Sequence, residues 1–302
     1  MPATADEKPI EVSSTARYMA LFRALETARG KSGLFQDRSA GLFLPPALRA
    51  LADAAHISVV GRLIERIIDS RWPGAWSSGV ARTRLIDDWI CEAVAAGARQ
   101  LVILGAGFDC RATRLAALAE TPVFEVDRAA LLADKQRRLQ NAGSAMRRNV
   151  VAVPVDFLHD NLRARLAAAG VREGERTLFL WEGVTNYLDA ASVGAVFDLV
   201  AQTAGPGSRI IFTYVHSGVL AGSFQAPGLK ALFARLATSG ERWTFGFQPS
   251  ELGAYLVQHG LRLSADLGAD DYRRLVMGER SRGLVGYEFY RVAMADVARN
   301  SR

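Results

Sequence analysis

Apolar positions in the first hundred residues recur at helical spacing, and none of that stretch alternates as a strand would. Across residues 13–29 they fall at Tyr18, Met19, Leu21, Phe22 and Leu25, which predicts one amphipathic helix. A glycine-rich break (Gly30-Lys31-Ser32-Gly33) and a Pro45-Pro46 loop precede a second periodic segment, residues 56–68. After the turn Arg71-Trp72-Pro73-Gly74, a third helix is predicted over residues 80–96.

From residue 100 the period changes. Leu101-Val102-Ile103-Leu104 is a short continuous apolar run ending in Gly105-Ala106-Gly107, as expected of a parallel strand covered on both faces. Similar runs end at Asp127, Asp156 and Glu182-Gly183, and a fifth spans residues 209–215. Helical segments at 129–141 and 190–204 alternate with them, the second closed by Gly205-Pro206-Gly207. Two more strands are predicted at 261–267 and 285–293, beyond a long insert at about 217–250. Repeated βα units of this kind make an open, doubly wound α/β sheet.

Such sheets bind ligands beyond the carboxyl ends of their strands, near the point where the strand order reverses. Those ends carry Gly105, Gly107, Asp127, Asp156 and Glu182. Glycines permit close backbone approach, and carboxylates accept hydrogen bonds from ribose hydroxyls or an amine. Any one of these carboxylates has an equally good account as a helix N-cap, so the set points to a cofactor, not the single residue. The dinucleotide fingerprint G-x-G-x-x-G lacks its third glycine, because Cys110 stands there, and Asp109 adds negative charge where a pyrophosphate would sit. Both features favour a cofactor without phosphates, S-adenosylmethionine (SAM), over a nicotinamide dinucleotide.

Composition narrows the setting. Half of the 302 residues are hydrophobic and 23% are charged, which is incompatible with disorder. No apolar run reaches the roughly 18 residues of a membrane helix, and the N-terminal MPATADEKPIEVSS has no signal-peptide core. A cytoplasmic protein with no membrane partner is expected. Cys91 and Cys110 suggest neither a disulfide framework nor a metal site. The net charge of +6 is spread over scattered arginines, without the basic, aromatic-interleaved stripe of a nucleic-acid groove. Nucleic acid is therefore not an expected partner.

The string Arg82-Thr83-Arg84-Leu85-Ile86-Asp87-Asp88, followed by QLVILGAGFDCRATRL, VFEVD and LFLWEGVTNYL, resembles the leucine carboxyl methyltransferase-like family of SAM-dependent methyltransferases. The bacterial branch of that family includes O-methyltransferases and a polyketide carboxyl methyltransferase of tetracenomycin biosynthesis. The likeness runs from about residue 75 to 293 and takes in RWTFGFQPSELGAYLVQHGLRL and YEFYRVAMA. It implies a class I methyltransferase fold: a Rossmann-like, seven-stranded α/β sheet with a helical N-terminal lid. Residues 1–75 would form the lid and 76–302 the SAM-binding domain, with the insert at 217–250 shaping the substrate pocket. By the same resemblance Arg82 pairs with the SAM carboxylate, or Arg84 in a shifted register. Gly105, Ala106 and Gly107 approach the methionine portion. Asp127 binds the ribose, with Glu125 as second choice, and Asp156 and Phe157 flank the adenine. Glu182 lies near the methionine amine or the catalytic face. Cys110 departs from the family's usual threonine.

The implied activity is O-methylation of a small apolar or aromatic acceptor, such as a polyketide-like natural product, with a carboxylate favoured over a hydroxyl. A carboxylate is ionised at neutral pH and needs no base, whereas a hydroxyl does. His216, directly after the fifth strand, is the histidine placed to serve as base, and Tyr187 is a second catalytic candidate. A plain surface position is the other reading of His216. Asn186, Tyr187 and the insert aromatics Phe224, Phe233, Trp243, Phe245 and Phe247 either line the acceptor pocket or form a local core. Methylation of a protein's terminal carboxylate, a non-catalytic SAM-binding interaction protein, and a monomeric or dimeric state all stay open.

Overall fold

A computed structural model describes residues 14–144, 147–157 and 159–298. The apolar runs beyond residue 100 are strands: β1 (Gln100–Leu104), β2 (Val123–Asp127), β3 (Val150–Pro154), β4 (Thr177–Trp181), β5 (Arg209–Val215), β6 (Leu261–Leu267) and β7 (Tyr290–Val297). They form one sheet in the order β3-β2-β1-β4-β5-β7-β6. The first five pair in parallel, and β7 runs antiparallel to both β5 and β6. Every residue of β1 and β4 is buried, which is why both read as unbroken apolar runs. The chain builds outward from β1 through β3 and returns beside β1 as β4, so the strand order reverses between β1 and β4.

The final strand starts later than the periodicity predicts, at Tyr290 instead of residue 285. Tyr287 and Gly286 have positive φ, 65° and 99°, and cannot extend a ladder. This segment crosses the Trp72-Pro73-Gly74 turn backbone against backbone: a Cβ on Gly286 would lie 2.2 Å from the Pro73 carbonyl. Buried Arg273 holds the same loop through the Gly286 carbonyl at 3.0 Å and Glu288 at 2.8 Å.

The N-terminal helices are α1 (Ser14–Ala28), α2 (Pro46–Ala54), α3 (Ser58–Arg71) and α4 (Ala75–Ala95). The expected Pro45-Pro46 loop is in fact the start of α2, since proline at a first helical turn sacrifices no hydrogen bond. Helix α4 begins before residue 80 because Ala75, Ser77, Ser78 and Gly79 are small enough to be buried in its first turns. Beyond β1 follow α5 (Arg111–Arg114), α6 (Ala129–Asn141), α7 (Leu162–Ala168) and α8 (Ala190–Thr203), then α9 (Ser217–Leu220) and α10 (Leu229–Thr238) of the insert, α11 (Pro249–Gln258) and α12 (Ala269–Met277).

One sheet face is packed by Trp181, Phe197, Phe212 and Phe247, and the other by Ile86, Ile90 and Tyr272 of α4 and α12. Helix α1 lies over the strand ends in a third cluster, where Phe43 stacks on Phe108 at 4.5 Å. Of the insert aromatics, Phe245 and Phe247 belong to the sheet core, while Phe224, Phe233 and Trp243 pack with Phe289 and Tyr290. Among the described residues no helix is long and apolar enough to cross a membrane.

Candidate functional site

A cleft of about 390 Å³ opens at the reversal of strand order, beyond the ends of β1, β2 and β4. Its floor is the turn after β1. Gly105 has φ +71°, and a Cβ there would lie 2.4 Å from Val184 Cγ2, so only glycine lets the β1 and β4 loops meet. Gly107 has φ +44°, and a Cβ there would find nothing nearer than 3.9 Å, which leaves an open backbone cradle. The Asp127 carboxylate closes one side by accepting from the Gly107 N–H at 2.8 Å and the Arg128 N–H at 2.7 Å. Among the described residues it makes no ion pair, so lone pairs remain for a ligand's hydroxyls. Asp156, Phe157 and Leu131 line the same end, with Asp156 bonded to His159 at 2.9 Å.

Glu125 is not a wall of this cleft, contrary to its standing as second choice for the ribose. It shares a face with Asp127 but sits one pleat deeper, only 2% exposed, where Lys135 of α6 donates to it at 2.8 Å. Burial raises its pKa against the pull of that lysine.

At the other end Arg82, on α4, is 6% exposed. Its Nε donates to Glu182 Oε1 at 2.9 Å, and its guanidinium lies 4.6 Å from the Tyr290 ring centre. Its Nη2 reaches only the Met19 sulfur at 3.2 Å, a weak acceptor, so among the described residues no oxygen accepts from the Nη edge. Arg84 faces outward, bonded to both Asp88 oxygens at 2.9 Å and to the Leu34 carbonyl at 2.7 Å. The register that sets Arg82 on the cleft is thus the one observed.

Behind Arg82 runs a buried ion ladder that sequence reasoning did not anticipate. Glu182 also accepts from Arg111 Nη1 at 2.8 Å, and Arg111 continues to Asp109 and to Asp87 at 2.8 Å. Arg114 then grips both Asp87 oxygens at 2.6 Å. Burial alone would raise Asp109, but the Arg111 guanidinium and backbone N–H hold it at about 2. Burial likewise opposes ionisation of Glu182, and Arg111 and Arg82 together overcome it. Both carboxylates are therefore fixed as anions. The only hint of Arg111 was its place within GFDCRATRL beside Asp109; its other two partners, Asp87 and Glu182, lie on separate segments.

Tyr187 lines the cleft and donates to Glu241 Oε2 at 2.9 Å, with Thr15 Oγ1 at 3.3 Å. Burial pushes its pKa up, so it stays protonated. Asn186 is buried and borders no opening near the cleft. His216 is displaced from the expected role. It caps α9, its Nδ1 accepting from the Gly218 N–H at 3.0 Å, and its ring packs 4.8 Å from Phe224. It lines neither the cleft nor the hollow beside it, because β5 is one strand removed from the reversal point. Burial and then Arg291 lower its pKa.

That hollow, of about 90 Å³, shares Thr15, Met19, Arg82 and Tyr290 with the cleft. Beyond them it is lined by Tyr18, Phe22, Trp72, Leu232, Leu236, Trp243 and Tyr287, with Arg235. Trp243 is the one insert aromatic of the five that reaches it.

The profile of the leucine carboxyl methyltransferase family matches residues 16–201. A Frankia alni protein named for SAM-dependent methyl transfer is 36% identical over 269 residues, 87% of this chain and 90% of its own. A Rhodococcus jostii protein with the same kind of name is 37% identical over 204 residues, 66% and 64% of the two chains. Among solved structures, one described as a methyltransferase from Thermobifida fusca matches 98% of this chain and 100% of its own, with TM-score 0.59 at 16% identity. A Streptomyces avermitilis protein matches over 91% and 96%, with TM-score 0.55 and 16% identity. At these identities the structures speak to the fold.

Proposed function

This chain belongs to the leucine carboxyl methyltransferase family and is a SAM-dependent methyltransferase, and from that premise we propose that it methylates an oxygen of a small apolar or aromatic acceptor, a carboxylate in preference to a hydroxyl. Three features of the cleft fit the cofactor. Among the described residues the Nη edge of Arg82 has no oxygen partner and suits a carboxylate, with Glu182 beside it to accept from the amine. The Gly105–Gly107 cradle leaves room for the methionine chain. Asp127 has lone pairs to spare for the ribose, and Asp156, Phe157 and Leu131 form a half-apolar slot suited to adenine. When bound, SAM supplies an electrophilic methyl group on a sulfonium sulfur, which passes in line to the nucleophile.

The chain's own task is to orient the two reactants and to keep water out. The Arg111 ladder fixes Glu182, and Glu182 in turn fixes the Arg82 Nε, so the Nη edge is held in place before a ligand arrives. Helix α1 covers the cleft through Thr15, Met19 and Arg23. We propose that residues up to about 75 act as the lid, of which residues 1–13 lie outside the described part of the chain.

One observation carries the preference for a carboxylate: among the described residues no histidine, lysine or cysteine borders the cleft. Asp109 and Glu182 are held as weakly basic anions, and Tyr187 stays protonated. A hydroxyl acceptor would need a base with a pKa near the working pH, and an acid needs none. The aromatic hollow beside Arg82 and Tyr290 supports an apolar acceptor body. The test is mass-spectrometric detection of methyl transfer from SAM to matched panels of aryl acids and phenols. Methyl esters as the main products are expected. Transfer only to nitrogen, or only to RNA, overturns the proposal.

A further inference from the structure

The hollow beside the cleft has two chemically different ends. Its shared end is Thr15, Met19, Arg82 and Tyr290, where it meets the cofactor cleft. Arg235, near the end of α10, lines the hollow but not the cleft. Its guanidinium lies 4.5 Å from the Tyr18 ring centre, and Tyr18 in turn packs on Trp72 at 5.8 Å. Arg23, Arg82 and Arg111, which line the cleft, and Arg114 behind them are each bonded to a carboxylate. Arg235 is exposed at the mouth of the hollow, and no carboxylate pairs with it among the described residues. A stacked guanidinium keeps its in-plane N–H donors available for a planar anion.

From this we infer that Arg235 binds an anionic group of the acceptor distinct from the oxygen that is methylated. The acceptor is then an aryl acid with two oxygen functions at opposite ends. One lies at the Arg82 and Tyr290 junction and takes the methyl group. The other stays ionised against Arg235, and the rings lie between Trp72, Leu236 and Trp243. The transfer itself balances simply: the new bond joins oxygen to the methyl carbon, and the carbon–sulfur bond breaks with its electron pair retained on sulfur as S-adenosylhomocysteine. The product keeps one negative charge, so a diacid stops at the monoester. The inference rests on the aryl-acceptor proposal and narrows it.

The test uses the whole chain with rigid probes: benzene-1,4-, naphthalene-2,6- and biphenyl-4,4′-dicarboxylate and the matching hydroxy acids, each paired with the monofunctional compound of the same skeleton. Wild type, Arg235→Ala and Arg235→Lys are compared by kcat/KM and by quenching of tryptophan fluorescence on acceptor binding, since Trp72 and Trp243 line the hollow. Wild type should prefer the best bifunctional probe over its partner by about tenfold or more, the range of a hydrogen bond to a charged group. Arg235→Ala should abolish that preference through KM rather than kcat, and Arg235→Lys should restore part of it. SAM titration and melting temperature check that the variants are folded. Equal preference in wild type and Arg235→Ala, with aryl acids still methylated, overturns the inference and leaves the acceptor proposal standing. No turnover of any aryl acid or phenol by a wild type that binds SAM overturns the acceptor proposal itself.

Discussion

Replacing Arg111 by methionine removes the one cation that Asp87, Asp109 and Glu182 share. Its side chain is 5% exposed, and those of the three carboxylates are 5%, 11% and 17% exposed, so water replaces little of what is lost. Breaking a buried ionic cluster by deleting one partner costs about 3–5 kcal/mol. At roughly 2 °C per kcal/mol for a chain of this size, the melting temperature should fall by about 6–10 °C. The pH dependence gives a sharper signature. In the wild type Asp109 titrates at about 2 instead of 3.8, which is worth about 2 kcal/mol. A folded-state pKa below the unfolded one stabilises fully above about pH 4 and loses that effect as the pH falls toward 2. In the variant Asp87 keeps Arg114 and Glu182 keeps Arg82, but Asp109 loses its salt-bridged arginine, so burial dominates there and it titrates above its unfolded value. The variant's deficit is then largest at alkaline pH and shrinks on acidification, as Asp109 takes up a proton. Calorimetric melting of both proteins at about pH 8 and pH 5 measures this. A deficit under 2 °C, or one that widens at pH 5, refutes the account of the ladder. Arg111→Lys, which keeps the charge but not the fork, should fall between the two.

Other perturbations separate roles within the cleft. Arg82→Ala should weaken SAM binding in calorimetric titration by about 1.5–3 kcal/mol, and Arg84→Ala, on an exposed pair, by well under 1 kcal/mol. Equal effects would mean that Arg82 does not hold the cofactor. Gly105→Ala forces a side chain at φ +71° against Val184, so the fold should lose about 1–3 kcal/mol and SAM affinity should fall with it. His216→Ala should leave kcat and its pH profile unchanged, because the ring is turned toward Phe224; a fall of about 10²-fold or more would restore it as a base.

The sheet was legible because strands buried on both faces read as unbroken apolar runs, and the ends of β1, β2 and β4 fell where the residues implied. Helix α6 was predicted at its observed bounds, since its stripe is regular and nothing interrupts it. The start of β7 was misjudged because Val285 and Tyr287 look strand-like locally, while a long-range crossing at Pro73 and Gly74 dictates their backbone. Alternation tells which face a strand residue takes but not its depth, so Glu125 stays a second choice behind Asp127 on sequence alone, whereas Lys135 covers it in the fold. The place of Arg82 on the cleft was legible by resemblance alone. Arg111 was not, because Asp87 and Glu182 reach it from distant parts of the chain, and spacing along the chain carries no trace of that.

The central claim is methyl transfer from SAM to an oxygen that is already ionised, and the pH–rate profile of the wild-type enzyme under saturating SAM tests it most directly. With an aryl acid as acceptor, kcat/KM should be nearly flat from about pH 6 to 8, since the acid's pKa lies near 4 and its oxygen is already ionised. A rate that climbs by about tenfold per pH unit across that range would show that a proton must leave before the methyl arrives, and would contradict the account.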